Sequence, residues 1–174
     1  GFSLLELLIV LTITAILFGI TGSIIQQHIA ELTIERWCLQ WIADAQLARS
    51  LSSQRISEVK LIALEQSWLT GWRIISNGST LREFNPKDFK TYRLIELDPA
   101  MRQTQGFVDS LSGNSTPQLI FIGGEPAELR NGGFMASRLI IRHQTHPQIV
   151  RHIIMGSGGR LRLCNPASDR LGCQ

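Results

Sequence analysis

Ionisable side chains are nearly absent from one end of this 174-residue chain, and acids are nearly absent from the other. Over residues 2–25, FSLLELLIVLTITAILFGITGSII, the one ionisable side chain is Glu6. Such a run excludes a solvated surface helix and is long enough to cross the hydrocarbon core of a bilayer. It carries no proline, the commonest cause of a kink, so Gly19 and Gly22 are the places where a helix here would loosen. A cleaved secretory signal is the rival reading, disfavoured because the apolar run passes into amphipathic helix without a small-residue cleavage site.

Cysteine is sparse, at three residues, which excludes a disulfide-dense scaffold. If two of them pair, the near couple Cys164 and Cys173 is the expected bridge in an oxidising compartment. Cys38 is then left as a lone buried thiol. Lysine is scarce too, and arginine outnumbers it 14 to 3. Arginine's planar, multi-donor head is the one suited to phosphates and base edges. Internal repeats and low-complexity tracts are missing.

Several chemistries also lack their residues. Gly71 and the glycine pairs at 123–124, 132–133 and 158–159 form no phosphate loop, since none leads from a strand into a helix with the required lysine. His143, His146 and His152 have no cysteine or carboxylate placed to complete a metal site, so they read as turn and surface histidines. No nucleophile, base and orienting group stand in a catalytic pattern, and Ser157 has no such partners. Neither enzymatic activity nor a cofactor is expected.

What is present divides the chain in three. Residues 1–28 hold the apolar run and its edge at Gln26, Gln27 and His28. Helical spacing continues through Ile34, Trp37, Cys38, Trp41, Ile42, Ala45 and Ala48, which predicts one helix over about 3–53. Its second half has an apolar stripe opposite Glu35, Arg36, Asp44 and Arg49, as a helix lying on a domain requires. All four tryptophans, Trp37, Trp41, Trp68 and Trp72, are assigned to packing.

Residues 29–155 then form one globular domain of ordinary size. Strand patterns at 59–64, 71–75, 92–97 and 118–122 end at turn residues, and 138–143 and 149–155 flank a polar segment as a long hairpin. Residues 101–117 read as a long loop. The expected fold class is α+β, a long N-terminal helix packed on antiparallel sheet.

Residues 156–174 open with Gly156-Ser157-Gly158-Gly159, read as a flexible hinge, and continue as a basic tail. From 138 to 174, six arginines face one acid, Asp169, for a net +5. Arg160 and Arg162, two apart in an extended segment, point to one side while Leu161 and Leu163 face the domain. The glycines before them allow close backbone approach to a phosphate.

Gly1-Phe2-Ser3-Leu4-Leu5-Glu6-Leu7-Leu8-Ile9-Val10 resembles the processing site and helix start of type IV pilins and type II secretion pseudopilins. The resemblance implies the pilin fold, cleavage by prepilin peptidase between Gly1 and Phe2, and methylation of Phe2. It also implies that Glu6 meets the N-terminal amine of a neighbouring pilin during assembly. A carboxylate within a membrane span is costly unless paired, which agrees with that role. The expected location is the inner membrane, single-pass with a periplasmic domain, then the extracellular filament.

Leu47-Ala48-Arg49-Ser50, Val59-Lys60-Leu61, the stretch WLTGWRI at 68–74 and RHIIMGSGGRLRLC at 151–164 are similar to the FimT and GspH branch of minor pilins and pseudopilins. Gly159-Arg160-Leu161-Arg162 resembles the GRxR motif of DNA-binding minor pilins of that branch. This implies DNA as a partner, bound without sequence preference in natural transformation, with Arg151, Arg142 and Arg170 extending the patch. A structural minor pilin that primes assembly and a secretion pseudopilin are the competing roles.

Overall fold

The computed structural model describes residues 3–55, 57–86, 92, 94–97, 116–127, 137–156, 158–169 and 171–173, with the side chains of 17–24 and 137 outside that description. A single helix, α1 (Leu4–Arg55), runs for 52 residues, about 78 Å at the usual rise. Ser3 caps it, its Oγ accepting from the Leu5 amide at 3.3 Å. Glu6 stands in the first turn, where a carboxylate complements the helix dipole.

In the apolar half, the hydroxyls of Thr12 and Thr14 donate to the carbonyls of Ile9 and Val10 at 2.8 and 2.9 Å. They therefore carry no unsatisfied donor on an otherwise apolar surface. No helix among the described residues is by itself long and apolar enough to cross a membrane. The expected span includes 17–24, whose side chains lie outside them.

Among the described residues, nine strands follow in two antiparallel sheets. The first contains β1 (Val59–Leu64), β2 (Ser67–Ser76), β3 (Ser79–Phe84), β5 (Gln118–Ile122) and β6 (Glu125–Pro126), in the order β3-β2-β1-β5-β6. The second contains β4 (Ile95–Leu97), β7 (Ser137–His143), β8 (Val150–Met155) and β9 (Leu161–Cys164), in the order β4-β7-β8-β9. The α+β class, with the long helix packed on antiparallel sheet, is thus the observed architecture. The loop expected over 101–117 falls mostly outside the described residues.

The core lies between α1 and both sheets. Ala30, Ile34, Trp37, Cys38, Trp41, Ala45 and Ala48 are buried on the helix, against Leu61, Ile74 and Phe121 of one sheet and Leu139, Ile141 and Ile153 of the other. Trp37 meets Trp72, and Trp41 meets Trp68, each pair edge to face with centroids 5.4 Å apart. All four tryptophans are buried, so the packing assignment holds for each.

Asp44 departs from the expected pattern: it is buried, not opposite the apolar stripe. Its position three residues after Trp41 and four before Ala48 places it on the packed face. Burial of its carboxylate is tolerated because Trp72 Nε1 and Gln40 Nε2 donate to Oδ2 at 2.8 and 3.0 Å, and Arg82 Nε lies 3.1 Å from Oδ1. Arg49 likewise turns towards the domain, its Nε donating to the Gly124 carbonyl at 2.6 Å.

Candidate nucleic-acid interface

Gly156, Gly158 and Gly159, of the segment expected as a hinge, stand in a turn between β8 and β9, and Ser157 lies outside the described residues. Gly156 N donates to the Arg160 carbonyl and Gly159 N to the Gly156 carbonyl, each at 2.9 Å. Gly159 has a φ of +69°, in the left-handed region that glycine enters without penalty. It is also enclosed: a Cβ there would lie 2.8 Å from Pro126 Cδ and 3.7 Å from Arg49 Cζ. The room beside Gly159 is taken by the chain's own Pro126, so this glycine serves the turn instead of opening the backbone to a phosphate.

That turn sets the phase of β9. Leu161 is buried and Leu163 half-buried, while Arg160 and Arg162 are exposed. The two guanidinium groups thus share the solvent side, as their spacing predicts. Neither makes an ion pair with any acid among the described residues. β9 is also the edge strand of its sheet among the described residues.

Beyond the strand the chain is tied down by the Cys164–Cys173 disulfide, with Cα atoms 5.7 Å apart. In the chain-entropy account, closing so short a loop stabilises by roughly 2.5–3 kcal/mol. Within it, Asp169 Oδ1 accepts from Gly172 N at 2.8 Å, and Asn165 Oδ1 accepts from Ala167 N at 3.1 Å. A tail held this way loses less entropy on binding than a free one. Cys38 is the buried free thiol, and burial pushes its pKa far up, which keeps it protonated.

The structure separates the other arginines proposed from sequence. Arg151 is buried on the helix-facing side of β8, where its Nη2 lies 3.9 Å from Glu31 Oε1. It does not join Arg160 and Arg162. Arg142 lies on the outer face of β7, but Glu96 sits opposite it at 4.0 Å and offsets its charge. Arg170, Gly1 and Phe2 lie outside the described residues.

The histidines divide in the same way. His143 is buried on the inner face, its ring 5.4 Å from that of His146. Together with Gln26, Ile29, Ala30, Thr33, Leu94 and Thr145 they line a cavity of about 220 Å³ against α1. Burial, then the neighbouring His146, lowers the His143 pKa. His152 lies in the opposite phase of β8 and does not meet them.

No family model and no curated protein matches the sequence. Among solved structures, the crystal structure of the type IV minor pilin FimU from Pseudomonas aeruginosa (strain PAO1) is similar, with a TM-score of 0.52. The match covers 76% of this chain and 89% of that one at 16% identity. The chain has a type IV pilin-like fold. At that identity the likeness is one of fold, carried by the long helix and the antiparallel sheet laid against it.

The N-terminal part of α1 has no covering layer among the described residues. Leu4, Leu5, Leu7, Leu8, Ile9, Val10, Leu11, Ile13 and Ile16 are all exposed in the isolated chain. Glu6 is exposed among them. The turn bearing Arg160 lies instead against Arg49 and Pro126, beside the C-terminal half of α1.

Proposed function

We propose that this chain is a minor type IV pilus subunit that captures extracellular DNA through Arg160 and Arg162 for uptake in natural transformation. The observation that carries the reading is the presentation of both guanidinium groups on one exposed edge, without an acid partner among the described residues, next to a disulfide-braced tail. Arginine in this setting binds phosphate through charge and hydrogen bonds, without regard to base sequence.

In this reading prepilin peptidase cuts between Gly1 and Phe2, and Phe2 is methylated. The apolar half of α1 anchors the chain in the inner membrane with the domain in the periplasm, then packs against other pilins in the extracellular filament. Glu6 pairs with the amine of a neighbouring subunit, which offsets the cost of a carboxylate in an apolar setting.

A second reading, a minor pilin that only primes assembly, draws on the uncovered apolar surface around Glu6 and the likeness to FimU. Replacing both Arg160 and Arg162 with alanine in the producing cell separates the two. Intact pili with lost DNA uptake support capture. Unchanged uptake supports the assembly role, and loss of both pili and uptake contradicts a dedicated DNA role for the arginines.

A further inference from the structure

Four arginines stand in the four-stranded sheet: Arg138 and Arg142 on β7, Arg151 on β8 and Arg162 on β9. Two have a carboxylate within 4.0 Å, Arg142 with Glu96 and Arg151 with Glu31. Arg138 and Arg162 have none among the described residues.

The register brings these two uncompensated cations into one row. Arg138 lies opposite Ile154, and Ile154 lies opposite Arg162, so Arg138, Ile154 and Arg162 line up across β7, β8 and β9. Residues directly opposite in antiparallel strands share a face. This face is the one turned away from α1, because Leu139, Ile153 and Leu161 on the alternate positions are buried. Arg160, two residues before Arg162, projects to the same side.

We infer that Arg138 is a third phosphate contact, and that bound DNA runs across the outer face of this sheet from β9 to β7, with Ile154 between the arginines. The inference rests on the DNA-capture reading and deepens it. Two strand spacings put the Arg138 and Arg162 backbones about 9.5 Å apart. Cations so placed fit separate phosphates of a polyanion better than one small anion. An isoleucine between them keeps like charges from standing directly opposite, and the remaining repulsion is relieved when a polyanion binds. Arg138 thus takes the place that sequence reasoning gave to Arg151, which faces the helix.

The test is duplex-DNA binding by the full chain in neutral detergent, titrated with salt, for the parent, Arg138→Gln, Arg138→Lys and Arg160→Ala/Arg162→Ala. Arg36→Ala, an exposed cation on α1, serves as the control. Loss of one phosphate contact flattens the log-log salt slope by about 0.9. Arg138→Gln is expected to show that change, Arg138→Lys to keep the parent slope, and Arg36→Ala to match the parent.

A parent-like slope in Arg138→Gln, beside a flattened slope in the double variant, overturns the inference and leaves capture by β9 standing. Equal loss in Arg138→Lys and Arg138→Gln also overturns it, since shape and not charge is then at work. Competition by inorganic phosphate at constant ionic strength contradicts the polyanion path. Failure of the parent to bind, or a double variant that binds like the parent, removes the capture reading itself.

Discussion

The indole N–H of Trp72 donates to the Asp44 carboxylate at 2.8 Å, joining the C-terminal quarter of α1 to β2 of the first sheet. Both residues are almost wholly buried. Arg82 reaches the same carboxylate from β3, so one acid ties the helix to two adjacent strands.

Asp44→Ala therefore leaves a buried indole donor without its acceptor and Arg82 without its counter-charge. The expected loss is about 2–3 kcal/mol of stability, seen as a fall of roughly 5–10 °C in Tm for a domain of this size. Asp44→Asn keeps an acceptor for Trp72 and should fall by less. Equal Tm values for the parent and Asp44→Ala would contradict the linkage.

Gly159 holds the turn that aims Arg160. Gly159→Ala forces a Cβ to within 2.8 Å of Pro126 in a left-handed conformation. The expected cost is about 1–3 kcal/mol, together with weaker DNA binding even though both arginines are present. Gly158→Ala, whose added Cβ meets nothing within 4 Å, should bind as the parent does. A melting and binding comparison of the two variants decides the point.

His143 makes stability depend on acid. Its folded pKa lies below the ordinary value of 6.5 because burial and His146 disfavour the charged ring. The unfolded chain therefore takes up the proton first. The His143 contribution is intact above pH 6.5, is lost as pH falls from there towards the folded pKa, and levels off below it. His143→Gln should flatten this part of a Tm-against-pH curve. An unchanged acid slope in the variant would show that another group is responsible.

Much of the fold was legible because the sequence carries periodic signals. The helix was expected over about 3–53 and spans Leu4–Arg55, while β1 and β5 begin and end where their apolar alternation does. β3 went unseen because its first five residues are exposed and it has no buried alternate face to leave a pattern. The division into two sheets was not legible either, since pairing β1 with β5 depends on contacts about sixty residues apart in sequence.

At the candidate site, the shared direction of Arg160 and Arg162 followed from their spacing. The inward direction of Arg151 did not. β8 has apolar residues in both phases, Val150 and Ile154 in one and Ile153 and Met155 in the other, so alternation alone does not say which side meets the helix. Only the pairing with β7 and β9 resolves it, and that same register brings Arg138 to Arg162.

Capture of DNA by the β9 edge is the central claim, and its most direct test is duplex-DNA affinity against salt for the full chain and for Arg160→Ala/Arg162→Ala. The parent is expected to bind, and the double variant to lose most of its affinity, with a log-log slope shallower by about 1.8. A parent that does not bind, or a double variant with the parent's affinity and slope, contradicts the claim.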